Sequence, residues 1–329
     1  MISMLKMFCV WGKNHLGQTV CSLAVILLVG GTAFAQSPPG SPEAWYSGST
    51  IVEADATEVP VWVDSSGNNH DARKDSDGFG FAFTGPDAGT GAVLGDPNAR
   101  YLSFDGGIDQ LGLSLDGTAA SQWKPAQGSY TIFALARGAS DGDRRGVLVA
   151  HDINGNNTGD FAFGFGDLNG HPASPNYPGE LDLMTPNVSP LAFPGEENTH
   201  SGNNIAPGDT DDTWHVFATT VEALGTGLGA NVALYIDGAQ VASRAVHQDG
   251  IFGSRGDNPP TIGNSFIGGG ENALTADIAE ILIYSGALSA GDRTAVEGWI
   301  GAAYVPEPGT LTMLLLGLSS FFAIRRRKG

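Results

Sequence analysis

The sequence contains almost no cysteine. Its two cysteines, Cys9 and Cys21, both lie within the first 35 of 329 residues. If this leader is removed on export, the remaining chain has no thiol, which excludes disulfides, cysteine catalysis and thiolate metal ligands. Cys21 follows Thr19 and Val20, which make a poor lipoprotein signal, so we do not expect lipidation.

Basic residues are also scarce, since 16 Lys and Arg stand against 35 Asp and Glu. Leaving out the two lysines of the first 35 residues, and the four basic residues and one acid of the last 25, gives 10 basic and 34 acidic residues, a net charge of −24. Nucleic acids and anionic lipids bind through positive charge on the protein. We therefore expect no nucleic acid partner, and an acidity that suits an extracellular protein able to take up divalent cations.

The first 35 residues have the three parts of a secretory signal peptide. Lys6 and Lys13 form a basic region, residues 20–30 form an apolar region, and Ala33-Phe34-Ala35 is a small-x-small cleavage site before Gln36. This order is typical of a leader that is removed rather than of a membrane span. We predict an exported chain that begins at Gln36.

The last 25 residues also have three parts. Val305-Pro306-Glu307-Pro308 is followed by an apolar run over residues 310–324 and a basic cluster over residues 325–328, which holds Arg325, Arg326 and Arg327. A helix over the run would be about 22 Å long at about 1.5 Å per residue, against a hydrocarbon core of about 30 Å. It could span by snorkelling of the arginines, which the positive-inside rule places in the cytoplasm.

Taken together, these three parts resemble the PEP-CTERM sorting signal of Gram-negative bacteria. The resemblance implies transient anchoring in the inner membrane, processing at Pro306-Glu307-Pro308 by an exosortase-type enzyme, and delivery to the cell surface or extracellular matrix. The alternative is an ordinary C-terminal membrane anchor, which would have no need of the proline-bracketed tetrapeptide.

Residues 36–304 have the pattern of one β-rich domain, with no linker dividing them. The sequence has 48 glycines, and short runs of β-branched and aromatic residues recur at 59–63, 101–104, 129–136, 145–150, 160–165, 214–221, 232–236 and 278–284. Asp237-Gly238 between two such runs predicts a two-residue hairpin turn. Many short strands separated by turns predict an all-β sandwich.

One helix is predicted near the end of this domain. Ser289 can cap it and Asp292 lies in its first turn. Its apolar stripe has the spacing i, i+3, i+4, i+7 and consists of Val296, Trp299, Ile300 and Ala303. We expect the stripe to pack on the sandwich and the helix to end at Tyr304.

Four segments, in this order, resemble bacterial LamG-like, concanavalin A-like domains. They are Val61-Trp62-Val63-Asp64-Ser65-Ser66-Gly67-Asn68-Asn69-His70-Asp71-Ala72, Leu102-Ser103-Phe104-Asp105-Gly106, Trp214-His215 with Leu234-Tyr235-Ile236-Asp237-Gly238, and Ile278-Ala279-Glu280-Ile281-Leu282-Ile283-Tyr284 with Leu288-Ser289. The resemblance implies a jelly-roll sandwich, a fold that hosts both lectins and glucanases. The sequence departs from the family at Gly107-Ile108-Asp109-Gln110, where relatives usually carry paired aspartates and an aromatic.

No complete catalytic motif is found, and we predict no catalytic residue. Laminarinase-like glycosidases of the superfamily carry Glu-x-Asp-x-x-Glu on one strand. The nearest approach is Glu180-Leu181-Asp182-Leu183-Met184-Thr185, in which Thr185 stands where the last carboxylate is required. A strand beside a loop is the preferred interpretation, and an acid pair formed across strands is the alternative. His215, beside Trp214 in a predicted strand, is interpreted as structural.

Two kinds of binding site are predicted from loops. Asp152, Asn154, Asn156 and Asp160 offer oxygen ligands at every second or fourth position, which suits calcium, although a polar Asn/Gly hairpin loop is the preferred interpretation. Asp64 and Asn68 are interpreted in the same way, as calcium ligands or as residues whose side chains fix a turn.

Aromatic side chains in loops can stack on sugar rings. Tyr177 is the preferred ligand contact, with Trp123 and Trp45 as further exposed candidates, whereas core positions are predicted for Trp62, Trp214 and Trp299.

The sequence therefore predicts an exported, surface- or matrix-sorted, non-catalytic sandwich that binds extracellular polysaccharide or acts in adhesion. A glycoside hydrolase of the same fold and a purely structural surface protein are the alternatives.

Overall fold

The computed structural model describes residues 37–74, 84–107, 109–113, 129–138, 146–151, 161–165, 181–185, 197–200, 213–224, 230–246, 261–263 and 274–304. They belong to one compact unit, Ser37–Gly329. Their strands are β1 (Ala44–Ser47), β2 (Val61–Trp62), β3 (Ala72–Arg73), β4 (Asp87–Val93), β5 (Asp96–Asp105), β6 (Leu111–Leu113), β7 (Tyr130–Gly138), β8 (Gly146–His151), β9 (Phe161–Phe165), β10 (Leu181–Thr185), β11 (Glu197–His200), β12 (His215–Ala223), β13 (Ala230–Ile236), β14 (Ala239–Val246), β15 (Thr261–Ile262) and β16 (Thr275–Tyr284). The α-helix described is α1 (Ala290–Ala303), and within the described residues no helix is long and apolar enough to span a membrane.

The strands form two eight-stranded antiparallel sheets. In the first sheet the order is β14-β13-β12-β7-β16-β5-β4, and β1 also pairs with β16. In the second sheet the order is β11-β10-β9-β8-β15-β6-β3-β2. Strands that are neighbours in sequence are often separated in space, as in a jelly roll. The prediction of an all-β sandwich with one short C-terminal helix is confirmed.

Strand β16 lies at the centre of the first sheet. One edge pairs with β7 along most of its length, and the register shifts between Ile278 and Glu280. The other edge is shared, because residues 275–278 pair with β5 and residues 280–283 pair with β1. The N-terminal strand of the domain is thus inserted beside the last strand.

The two sheets enclose an apolar core. Trp62 of β2, Phe104 of β5, Phe163 of β9 and Phe217 of β12 are buried in it. Residues i and i+2 of a strand share a face, so Leu111 and Leu113 both point from β6 into this core.

A second apolar layer covers the outer face of the first sheet. Phe133 and Leu135 of β7 and Leu282 of β16 pack there against Val296 and Ile300 of α1. Because β7 and β16 are buried on both faces, their sequences are nearly continuous apolar runs rather than alternating ones.

Helix α1 begins as predicted. The Ser289 hydroxyl accepts a hydrogen bond from the Asp292 backbone N–H and donates one to the Asp292 carboxylate at 2.7 Å. The predicted stripe is only partly right, since Ala303 is exposed and Trp299 is half-buried. The helix packs on the sheet through Val296 and Ile300, and Trp299 lies at the edge of this interface.

The predicted runs all coincide with strands, although the first is shortened to β2. The Asp237-Gly238 turn is confirmed, with φ values of 49° and 79°. Strand β4 was not predicted, because its glycines conceal the pattern. A Cβ on Gly89 would lie 2.3 Å from the Tyr101 ring, which packs against this part of the strand.

Gly48 sits where the chain leaves β1 and crosses β5 and β16. A Cβ there would lie 1.9 Å from the Arg100 carbonyl oxygen and 3.2 Å from that of Ala279. We predict that Gly48→Ala lowers the free energy of unfolding by about 3 kcal/mol, because backbone cannot yield to it. Gly298→Ala in α1 meets nothing within 4 Å and should stabilise by roughly 0.5–1 kcal/mol. Denaturant unfolding measures both, and equal stabilities would contradict the prediction.

Candidate functional site

A buried carboxylate joins both ends of the domain. Glu280 lies in β16 with 1% of its surface exposed. It accepts hydrogen bonds from the Trp45 indole N–H and, at 2.5 Å, from the Tyr304 hydroxyl. The Ser47 side chain is a third hydrogen-bond partner. We call Glu280, Trp45, Ser47 and Tyr304 the Glu280 latch.

The local structure explains why these four residues meet. Pairing of β1 with β16 places Ser47 directly opposite Glu280. Tyr304 is the C-cap of α1, and its hydroxyl also contacts the Ala279 carbonyl oxygen at 3.0 Å. The Trp45 ring packs edge-to-face on Trp299 of α1, with centroids 5.5 Å apart. The Glu280 latch therefore connects the first strand, the last strand and the helix.

Burial dominates the electrostatics of the Glu280 latch. Desolvation raises the pKa of Glu280 to about 7, although the bonds from Tyr304, Trp45 and Ser47 act in the opposite direction. Burial is also the main reason why the pKa of Tyr304 lies well above its usual value. The negative charges of Glu280 and, to a smaller extent, Asp96 raise this pKa further. Glu280 is therefore protonated more readily here than an exposed glutamate is.

The start of the described chain docks on the same strand. The Glu43 N–H donates to the Ile283 carbonyl oxygen at 2.7 Å, and the Tyr284 hydroxyl donates to the Pro39 carbonyl oxygen at 2.9 Å. The segment that follows the predicted signal cleavage point and the residue that precedes Val305 are thus both held by β16.

Polar residues lie on the side of the second sheet that faces away from the core, and not all of them are open to solvent, since Thr261 is only 2% exposed. Thr261 of β15 and Arg73 of β3 both pair with Gly112 of β6, and strand alternation turns these positions away from the core. Gln110 lies two residues before Gly112 and therefore on the same side of the sheet. It is 1% exposed, yet neither the nitrogen nor the oxygen of its side-chain amide has a hydrogen-bond partner in the described part of the chain. The Arg73 guanidinium donates to the Asp71 carboxylate at 2.7 Å. Sequence reasoning noted Gln110 only as a departure from the family pattern.

The prediction that His215 is structural agrees with its contacts. Its Nδ1 lies 2.6 Å from the Asp237 carboxylate and its Nε2 lies 2.7 Å from the Thr213 hydroxyl. The other Asp237 oxygen accepts from the Val216 N–H at 2.9 Å. This hydroxyl–imidazole–carboxylate row is open to solvent and ties the β13–β14 hairpin to β12.

Asp64 fixes a turn rather than offering free ligands. Its carboxylate accepts bonds from the backbone N–H groups of Trp45, Ser66 and His70 and from the Ser66 hydroxyl. Asn68 donates to the Glu43 carbonyl oxygen at 2.8 Å. Among the described residues, no group of three or more His, Cys, Asp or Glu side chains could hold a metal ion.

Comparison with known families agrees with this fold. Residues 118–292 match the family model of the concanavalin A-like lectin/glucanases superfamily. The chain belongs to this superfamily. Residues 305–328 match the PEP-CTERM protein-sorting motif, which begins directly after Tyr304, the C-cap of α1. The motif indicates export and sorting through the membrane, so the chain is an exported concanavalin A-like protein. No curated protein matches the sequence.

Solved structures with similarity to this concanavalin A-like chain include toxin binding domains. One is the ligand-binding domain of botulinum neurotoxin serotype D in complex with N-acetylneuraminic acid, with 14% identity and a TM-score of 0.49 over 78% of this chain and 50% of that one. Another is the binding domain of Paraclostridial Mosquitocidal Protein 1, with 14% identity and a TM-score of 0.45 over 77% and 51%. The chain spans about half the length of these structures.

Most residues predicted as sites lie outside the described part of this concanavalin A-like protein. These are the signal cleavage residues Ala33, Ala35 and Gln36, the sorting residues Val305, Pro306, Glu307, Pro308, Arg325, Arg326 and Arg327, the calcium candidates Asp152, Asn154, Asn156 and Asp160, and the ligand contacts Tyr177 and Trp123. They stay predictions. Trp45, also considered as an exposed sugar contact, is half-buried, and its indole is engaged by Glu280 and Trp299.

Replacing Glu280 should change how stability depends on pH. A carboxyl with a pKa of about 7 in the fold and 4.5 when exposed favours folding fully below pH 4.5, and this contribution is lost as the pH rises through 7. The free energy of unfolding should thus fall by on the order of 3 kcal/mol between pH 4 and pH 8 from this group alone. Glu280→Gln should remove that fall, whereas the exposed Glu222→Gln should leave it unchanged. An unchanged slope in Glu280→Gln, in urea unfolding series, would be evidence against the latch.

Proposed function

We propose that this protein is a non-catalytic matrix or surface component that binds a neutral extracellular polysaccharide on the outer face of its second sheet. An exosortase-type enzyme would process it at the C-terminal motif and release it to the cell surface or matrix. The sorting motif supports the destination, and the superfamily domain supports a binding role.

The observation that carries the ligand proposal is the amide of Gln110. A buried donor and acceptor left without partners costs about 1–3 kcal/mol, and native proteins usually complete such groups with water or a ligand. The Arg73–Asp71 pair lies on the same face and adds a guanidinium and a carboxylate. Donors and acceptors of this kind match the hydroxyl groups of a sugar.

Charge favours a neutral glycan over an acidic one. The exported part has 34 acidic and 10 basic residues, and such a field repels polyanions at long range. Loop aromatics are the complementary element of a sugar site, and Tyr177 and Trp123 remain the candidates for stacking on the ring faces.

Binding to an array of neutral β-glucans, with and without calcium, tests this proposal. We predict binding by the exported chain that Arg73→Ala weakens roughly tenfold, as expected for a hydrogen bond to a charged group. Arg244→Ala, on β14 of the other sheet, is the matched control and should bind normally. Absence of binding under both conditions would contradict the proposal and favour a purely structural protein.

The non-catalytic part of the proposal predicts no new reducing ends when the same glucans are incubated with the protein. A steady release of reducing ends that disappears in Asp182→Asn or another single carboxylate variant would establish a glycoside hydrolase instead. Conversely, release that is insensitive to every such variant would point to a contaminating enzyme.

A further inference from the structure

The sorting motif follows the folded domain without a spacer. The family match to the motif begins at residue 305, and the preceding residue, Tyr304, is only 7% exposed. Its side chain is part of the Glu280 latch, and the helix before it is held on the sheet by Val296 and Ile300. The residues on the N-terminal side of the motif are therefore fixed in a helix and a cap.

This arrangement is unfavourable for proteolysis. Cleavage of a native protein generally requires that the residues around the bond leave their packed positions, and its rate follows the population of that opened state. Opening the Tyr304–Val305 junction means that the Tyr304 hydroxyl must leave both Glu280 and the Ala279 carbonyl oxygen. It would also leave the buried Glu280 carboxyl with one donor fewer.

We propose that the Glu280 latch protects the junction between the domain and the sorting motif, so that cleavage there requires the end of α1 to undock. This inference rests on the proposed processing of the C-terminal motif, and it names the side chains that would limit the rate of that processing.

The same contacts make protection depend on the N-terminal strand. Trp45 and Ser47 reach Glu280 only when β1 is paired with β16. A chain whose first strand has not docked therefore lacks two of the three partners of Glu280. Protection of the junction is in this way a property of the completed fold, and it is lost in an incompletely folded chain.

Chymotrypsin provides a direct test, because it cleaves after tyrosine and phenylalanine alike. The substrate is the exported chain with its sorting segment, kept in detergent, and the readout is the rate at which fragments beginning at Val305 appear in mass spectra. Tyr304→Phe keeps the ring and removes the hydroxyl, and we expect cleavage after this residue roughly tenfold faster than in the unchanged chain. Trp45→Phe, which removes a donor far away in sequence, should accelerate the same cut.

Tyr235→Phe is the matched control, since it removes a buried tyrosine hydroxyl whose contact is with Gln240 of the β14 hairpin. It should leave cleavage at the junction unchanged. Unfolding midpoints measured on all variants separate local opening from global loss of stability, because only local opening increases the cut at 304 without increasing cuts in β7 and β16. Equal rates in the unchanged chain and both latch variants would overturn the proposal.

This outcome is distinguishable from failure of the proposed function. Chymotrypsin needs neither the processing enzyme nor a glycan, so faster cleavage in the latch variants supports protection even if the native host leaves the tail uncut. If the host does process the tail, Tyr304→Phe should shorten the time needed for half of the exported chain to lose it, and an unchanged time would contradict the role of the latch in processing.

Discussion

The buried carboxyl of Glu280 is the contact on which the arrangement of the domain depends. It lies in the central strand of the first sheet, yet its partners come from the first strand and from the residue that ends the last helix. Burying a carboxyl is costly unless its oxygens are hydrogen-bonded. The fold is therefore most stable when both ends of the domain are docked at once, and the first and last described segments both contact one strand.

The two sheets therefore differ in what lies on their outer faces. Helix α1 covers the outer face of the first sheet, and both ends of the domain are held on this sheet. The side of the second sheet that faces away from the core carries polar residues, among them the buried amide of Gln110, which has no hydrogen-bond partner in the described part of the chain. The proposed glycan site and the docked ends of the domain thus lie on opposite faces of the sandwich.

Sequence patterns predicted the features that are local. Alternation, the Asp237-Gly238 turn and the Ser289 cap depend on neighbours within a few residues, and all were found. The Glu280 latch could not be read in this way, because Trp45, Glu280 and Tyr304 are brought together only by the pairing of β1 with β16. One signal was available: a lone carboxylate inside the apolar run from Ile278 to Tyr284 must find partners if that run is buried on both faces. Sequence reasoning placed the sugar site on loop aromatics, whereas the proposed site in the described residues consists of Gln110 and Arg73. Hydrophobic periodicity does not distinguish these two residues from other polar residues of a strand.

The central claim is that Glu280 couples the two ends of the domain, and a double-mutant cycle measures this most directly. The free energy of unfolding is determined at pH 8 for the exported chain, for Trp45→Phe, for Tyr304→Phe and for the double variant. Coupling through the shared carboxyl predicts that the two losses are not additive, with an interaction of at least about 0.5 kcal/mol. Losses that add to within about 0.3 kcal/mol would show that the ends dock independently.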